Sequence, residues 1–174
     1  MRLFIAVCLS DEMKKALTKA QAFMMKKGVR GRYSPEENLH LTLAFIGEYG
    51  DPDAVSGAME SVPFEPFVLE LDGFGNFDDS WWAGLKDSDE LRSTVSRLRH
   101  TLAEAGIPSY DRRNYKPHIT LIRGAESAHG IPGIRMPECG MTVDTISLMR
   151  SDRGKNSMIY TEIGCIEAER REDS

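Results

Sequence analysis

Apolar residues recur along this chain in two rhythms that alternate from end to end. The run "LFIAVCL", Leu3 to Leu9, is apolar at every position and predicts a short buried strand. In the next segment, "SDEMKKALTKAQAFMMKKG", the apolar positions Met13, Ala16, Leu17, Ala20, Phe23 and Met24 fall at helical spacing. Ser10 can cap that helix, with Asp11 and Glu12 in its first turn, and Gly28 can end it. A polar loop leads to a second apolar strand, "HLTLAFIG", which holds His40. A short helix follows Asp51, with Ala54, Val55, Ala58 and Met59 on its apolar side. In "PFVLELDG" the rhythm becomes period two, with Phe67, Leu69 and Leu71 inward, and Pro63 and Pro66 point to an edge strand or a bulge.

The pattern then begins again. "WWAGLK" reads as a short apolar strand. "DSDELRSTVSRLRHTLAEAG" reads as a helix capped by Asp87 or Ser88, with Leu91, Val95, Leu98 and Leu102 on one face and Gly106 as its stop. Another polar loop leads to "HITLIRG", the strand that holds His118. "MTVDTISLMR" and "SMIYTEIG" flank the turn "SDRGKN" as a long-loop hairpin. Arg2 to His40 is 38 positions and Trp81 to His118 is 37. The chain is therefore two strand-helix-strand halves, each ending in His-x-Thr-Leu. The expected fold class is α+β: one domain over residues 1–174, with two pseudo-symmetric lobes about an active-site cleft. Each lobe is an antiparallel or mixed sheet with helices outside.

Composition narrows the class further. The chain has 174 residues, 41% apolar and 28% charged, with no low-complexity tract. The apolar run Leu3–Leu9 is far too short to span a bilayer and lacks a small-residue cleavage site. Cys8, Cys139 and Cys165 show no Cys-x-x-Cys pairing, which fits a reduced cytoplasmic protein better than a disulfide or zinc framework. The expectation is a cytoplasmic monomer with no membrane partner. A net charge of −5 argues against a protein that coats nucleic acid nonspecifically. The charge is uneven, however: Asp51 to Glu90 holds eleven acidic residues and one basic, whereas Leu91 to Arg123 holds seven basic and two acidic. Such asymmetry can focus an anionic ligand on one region.

The repeated motif carries the candidate chemistry. In a strand, His40 and Thr42 share one face and Leu41 and Leu43 the other; the same holds for His118 and Thr120 against Ile119 and Leu121. If the halves face one another, two imidazoles and two hydroxyls converge on one cleft. A lone histidine on an apolar strand is usually a satisfied core residue, but packing has no need of His-x-Thr twice in the same register. A metal site would need further ligands in register, and a nucleophilic triad would need an activated serine or cysteine; neither is announced. Two histidines titrating near neutrality can serve as general base and general acid. Two hydroxyls can donate to the oxygens of a phosphoryl group in an in-line displacement, with no metal and no other cofactor.

These segments resemble the 2H phosphoesterases, named for two His-x-Thr/Ser-x motifs, and more closely the RNA 2′,3′-cyclic phosphodiesterases, historically called 2′-5′ RNA ligases. The resemblance runs through "RLFIAVCLSDE", "GRYSPEENLHLTLAFIGE", "WWAGL", "YKPHITLIRG" and "ISLMRSDRGKNSMIYTEIG". It implies hydrolysis of an RNA-terminal 2′,3′-cyclic phosphate to a 2′-phosphomonoester, with a weak reverse ligation through 2′-5′ linkages. It implies His40 as proton donor, His118 as proton acceptor, and Thr42 and Thr120 as phosphate-binding groups. The two motifs are too alike for the residues alone to assign donor and acceptor. Partners are then RNA ends or small cyclic nucleotides. Two rivals stand beside this reading: a phosphodiesterase for a small cyclic phosphate, such as a cyclic nucleotide or ADP-ribose cyclic phosphate, and a nucleotide- or RNA-binding module without turnover.

Several positions depart from the family pattern or carry less weight. Tyr33 stands where the family usually has tryptophan and is a candidate for base stacking or for packing. "DDSWW" places Asp78 and Asp79 where an arginine is common. Arg123 matches an arginine after the second motif, and Phe45 holds the equivalent place after the first. In a regular strand Arg123 points away from His118, so phosphate contact requires a bulge or the strand's end. Arg112, Arg113 and Lys116 are candidates for flanking phosphates. His100 is expected on the exposed face of its helix, and His129 in a surface loop. Of Trp81 and Trp82, one faces the core and the other is free to line the cleft.

Overall fold

The computed structural model describes residues 1–109 and 115–169. In chain order the elements are β1 (Arg2–Cys8), α1 (Asp11–Lys26), β2 (Arg30–Tyr33), a 3₁₀ turn (Glu36–Asn38), β3 (His40–Glu48), α2 (Pro52–Glu60), β4 (Phe67–Phe77), β5 (Ser80–Leu85), α3 (Asp89–Glu104), β6 (His118–Glu126), β7 (Gly140–Val143), β8 (Thr145–Arg153) and β9 (Met158–Glu167). The described strands form two antiparallel sheets, β3-β1-β8-β9 and β2-β6-β5-β4-β7. β1 pairs with β3 as β5 pairs with β6, so the sequence repeat is a structural one.

The two long helices start and stop by the same chemistry. The Ser10 hydroxyl accepts from the Met13 N–H at 3.2 Å, and the Ser88 hydroxyl accepts from the Leu91 N–H at 3.2 Å. Ser88, not Asp87, is therefore the cap. Gly28 and Gly106 adopt φ of 82° and 73° just past the two ends. The N–H groups of Gly28 and Val29 reach the carbonyls of Met25 and Met24, and those of Gly106 and Ile107 reach Ala103 and Leu102. Val29 and Ile107, the residues after the glycines, are buried.

Each helix covers the sheet of the other half. The Gln21 side-chain amide on α1 donates to the carbonyls of Ser34 and Leu121, both at 3.0 Å, and so fixes α1 against β2 and β6. Arg99 on α3 donates from Nε and Nη2 to the Leu43 carbonyl at 3.2 and 3.1 Å, which fixes α3 against β3. α2 lies beside α3 and against β9. The helices thus exchange partners, and one continuous cluster of buried side chains runs through both halves, with Ile5, Leu17, Val55, Leu69, Leu98 and Leu121 among its members. A smaller cluster of Phe4, Ala6 and Met149, with Tyr160 against it, covers the other face of β1. A strand buried on both faces needs apolar residues at every position, which is why β1 shows no alternation.

Five expectations are corrected. The segment read as a polar loop before His40 contains β2, whose exposed Arg30 and Arg32 hide its pairing with β6. Of the two readings of β4 the edge position is overturned and the bulge stands: Pro63 and Pro66 precede the strand, its first half pairs with β7 and its second with β5, and the register shifts between Leu71 and Phe74. Phe23 is 37% exposed, and the buried stripe of α1 is Met13, Leu17, Ala20, Gln21 and Met24. Its ring instead lies beneath the Lys19 and Lys26 ammonium groups, 5.9 and 6.0 Å from the centroid. "MTVDTISLMR" breaks at Asp144 into β7 and β8, which belong to different sheets. The β8-β9 loop is short, because β8 continues to Arg153 and the Gly154 N–H donates to the Ser157 carbonyl at 3.0 Å.

Candidate active site

Both histidine strands carry a bulge one residue past the threonine. Along β3, Thr42 pairs with Ala6 and Ala44 with Ile5, leaving Leu43 as the extra residue. Along β6, Thr120 pairs with Trp82 and Ile122 with Trp81, leaving Leu121 extra. Each bulge buries two consecutive residues, Leu43-Ala44 and Leu121-Ile122, and shifts the alternation by one. Phe45 and Arg123 consequently return to the face of their histidine and threonine, and both are exposed. The bulge that the Arg123 expectation required is present.

The two rings are held alike. His40 Nδ1 lies 2.7 Å from the Asn38 carbonyl, and His118 Nδ1 lies 2.8 Å from the Lys116 carbonyl, each two residues upstream. A carbonyl only accepts, so the geometry assigns the proton of each neutral ring to Nδ1 and leaves Nε2 to exchange protons with a ligand. His40 Nε2 is 2.9 Å from the Thr42 hydroxyl, which donates to it while the ring is neutral. Aromatic side chains fix the ring planes. Phe4 and Tyr160 stand 5.0 and 5.2 Å from His40, centroid to centroid; Phe77 and Trp82 stand 5.0 and 5.8 Å from His118. Burial holds the His40 imidazolium below the ordinary histidine range. The Asn38 carbonyl opposes that shift, while the charges of Arg123 and His118 add to it. Arg123 and His118, both on β6, are thus within electrostatic reach of His40 on β3.

The remaining sequence candidates divide between this cleft and elsewhere. Lys116 places its ammonium 5.0 Å from the Trp82 ring centroid, above the His118 strand. Trp81 joins the main core, whereas Trp82 packs on Phe77, His118 and Lys116. Trp82 is seated over Gly75, where an added Cβ would fall 2.2 Å from the ring. Asp78 and Asp79 form the β4-β5 turn, tied to β6 through the Ala125 N–H on the Asp79 carbonyl at 2.9 Å. Tyr33 is not brought to the histidines: it pairs with the core-facing Ile122, packs against the core, and donates its hydroxyl to the Val29 carbonyl at 2.8 Å. His100 is exposed and 3.1 Å from Glu104, and His129 is exposed in a turn. Arg112 and Arg113 lie outside the described residues.

Sequence reasoning missed the frame around the rings. Asn38 holds His40 through its carbonyl and, through its side-chain amide, donates to the Met158 carbonyl at 2.8 Å, pinning β9 beside the site. Ser34 donates its hydroxyl to the Thr120 carbonyl at 3.0 Å, and Tyr115 donates to the Thr42 carbonyl at 3.0 Å. Phe4 had a signal in the unbroken apolar run of β1. Tyr160 and Tyr115 had none, because their neighbours are distant in sequence.

Comparison with known proteins gives this geometry relatives. The description of the 2′-5′ RNA ligase superfamily matches residues 10–155. The RNA 2′,3′-cyclic phosphodiesterase of Thermotoga maritima is 33% identical over 133 residues, covering 71% of this chain and 70% of its own. That of Thermus thermophilus is 33% identical over 181 aligned positions, covering 92% and 87%. Among solved structures, Escherichia coli LigT complexed with 3′-AMP superposes with a TM-score of 0.81 at 28% identity, covering 97% of this chain and 98% of the other. LigT complexed with ATP superposes with a TM-score of 0.78 over the same shares.

Proposed function

The chain belongs to the 2′-5′ RNA ligase superfamily, and from that premise we propose that it hydrolyses the 2′,3′-cyclic phosphate at an RNA 3′ end to a terminal 2′-phosphomonoester. Its homologues are RNA 2′,3′-cyclic phosphodiesterases at about 30% identity, and related structures hold nucleotides. The observation that carries the proposal is the matched pair of rings, each with Nδ1 fixed on the carbonyl two residues upstream, so that Nε2 is the nitrogen left to exchange a proton with a ligand.

In this reading His118 Nε2 takes a proton from water as its oxygen attacks phosphorus. The P–O3′ bond breaks in line, and His40 delivers a proton to O3′. One proton is taken and one given, so the two rings exchange charge states in each turnover. The Thr42 and Thr120 hydroxyls and the Arg123 guanidinium hold the non-bridging oxygens where negative charge accumulates. Phe45, 48% exposed beside Phe4, offers a flat face to the base of the terminal nucleotide. The donor role asks His40 to be protonated although burial and Arg123 act against it. A bound phosphate anion offsets Arg123 and favours the imidazolium, so substrate and proton bind together. The same steps with a 5′-hydroxyl in place of water, its proton taken by His118 and O3′ protonated by His40, give a 2′-5′ phosphodiester, which is ligation.

The test is incubation of EDTA-treated protein with an RNA oligonucleotide ending in a 2′,3′-cyclic phosphate, followed by identification of the terminal phosphate. A 2′-phosphate establishes the reaction and its regiochemistry together. Absence of turnover with both histidines intact removes this reading and favours the small cyclic phosphate.

A further inference from the structure

β2 brings a charge to the cleft side of β6 that the reaction steps leave unused. Arg32 pairs directly with Arg123 across the two strands. Opposed residues of an antiparallel pair project from the same face, so Arg32 stands beside Arg123 on the face that carries His118 and Thr120. Both are exposed, and among the described residues neither has a hydrogen bond or an ion pair. Arg30, by contrast, pairs with Glu126 and faces an opposite charge.

The pairing of the two arginines is fixed rather than incidental. At Gly31 the backbone has φ of 153°, and an added Cβ would lie 2.6 Å from Ile122 Cγ2, so only glycine lets β2 approach this closely. On the other side of Arg32, the Ser34 N–H donates to the Leu121 carbonyl at 2.8 Å and its hydroxyl to the Thr120 carbonyl at 3.0 Å. Like charges set opposite one another cost stability. In a chain of net charge −5 a facing carboxylate would be easy to supply, yet among the described residues none is paired with either arginine. An anion seated on the pair accounts for both facts.

Arg123 lies within reach of His40 and is used on the reacting phosphate. Arg32 lies one strand farther out, about 4.8 Å away at the sheet edge, in position for a different phosphate. We propose that Arg32 forms a second phosphate subsite beside Arg123, which takes the phosphodiester joining the terminal nucleotide to the preceding one in RNA. The proposal rests on the cyclic phosphodiesterase reading and deepens it: the subsite distinguishes an RNA end from a mononucleoside cyclic phosphate.

The measurement is kcat/KM for a dinucleotide ending in a 2′,3′-cyclic phosphate divided by kcat/KM for the corresponding nucleoside 2′,3′-cyclic phosphate with a free 5′-hydroxyl. These substrates differ by one phosphodiester and one nucleoside. Arg32→Ala is expected to lower that ratio about tenfold, the scale of one charge-assisted hydrogen bond. Arg32→Lys should recover part of it, and Arg30→Ala should leave it unchanged. An unchanged ratio in Arg32→Ala, or an equal fall in Arg30→Ala, overturns the subsite. Melting temperatures serve as the folding control, and loss of the arginine repulsion should leave Arg32→Ala at least as stable as the parent. If the parent turns over neither substrate, the functional reading has failed. The subsite is then tested by binding of a fluorescent dinucleotide 3′-phosphate against a nucleoside 3′-phosphate, where Arg32→Ala must weaken only the former.

Discussion

Replacing Gly75 by alanine should damage the site through Trp82. Gly75 pairs with Trp82 across β4 and β5, and the new Cβ would lie 2.2 Å from Cη2, 2.4 Å from Cζ2 and 2.7 Å from Cζ3 of the indole. Ordinary contact begins near 3.4 Å, so the ring or the strand must yield by about 1 Å. Overpacking of this kind costs about 1–3 kcal/mol, or a fall in melting temperature of roughly 2–10 °C for a chain of this size. The displaced ring packs on His118 at 5.8 Å, centroid to centroid, and a shift of about 1 Å in a catalytic group can cost on the order of 10²-fold in rate. Turnover of a cyclic-phosphate RNA should therefore fall about 10- to 100-fold while the protein remains folded. The three colliding atoms belong to the six-membered ring that phenylalanine lacks in that position. Gly75→Ala combined with Trp82→Phe should accordingly recover stability and part of the rate relative to Gly75→Ala alone. An alanine variant with full rate and unchanged melting, or a double variant worse than either single one, would refute the reasoning.

Further outcomes follow from the site and the frame. Alanine at His40 or His118 should lower turnover by roughly 10²-fold or more, and near-full activity in either would end the acid-base pairing. The rate should vary across about pH 5 to 9 rather than stay flat, and should persist in chelator, since both proton transfers are assigned to imidazoles. Because the folded His40 holds its proton less tightly than the unfolded chain does, the unfolded state binds more protons as the pH falls through the ordinary histidine value of about 6.5. Stability should drop in that window and below it, and His40→Asn should flatten this part of the urea midpoint against pH. Gln21→Met leaves the Ser34 carbonyl without its amide donor and should cost about 1–3 kcal/mol. We propose that the chain is one cooperative domain, so tryptophan fluorescence and circular dichroism should report one coincident transition in that variant; two transitions would contradict it.

The parts of the fold that were legible depend on local chemistry. Ser10, Ser88, Gly28 and Gly106 mark helix ends because caps act within a few residues. The His-x-Thr pairs declared themselves by repetition, whereas the doubled apolar positions Leu43-Ala44 and Leu121-Ile122 reveal their bulges only through the pairing with β1 and β5. What stayed hidden depends on partners distant in the chain. β2 is polar on its exposed side and is a strand because β6 lies beside it. Tyr33 resembled a cleft aromatic until its pairing with Ile122 turned it toward the core. Asp144 offers no local signal that one strand ends there and another sheet begins.

The exchange of helices also bears on how the chain is made. The Gln21 amide bonds to a carbonyl 100 positions later, at Leu121, so during synthesis α1 emerges long before the surface it covers. Until β6 leaves the ribosome the apolar stripe of Met13, Leu17, Ala20 and Met24 lacks most of the sheet it covers, with only the segment from β2 to Ser34 already made. Contacts of such span slow folding and expose apolar surface meanwhile. The nascent first half should therefore be a better chaperone client than the finished protein, and the second half completes both lobes at once.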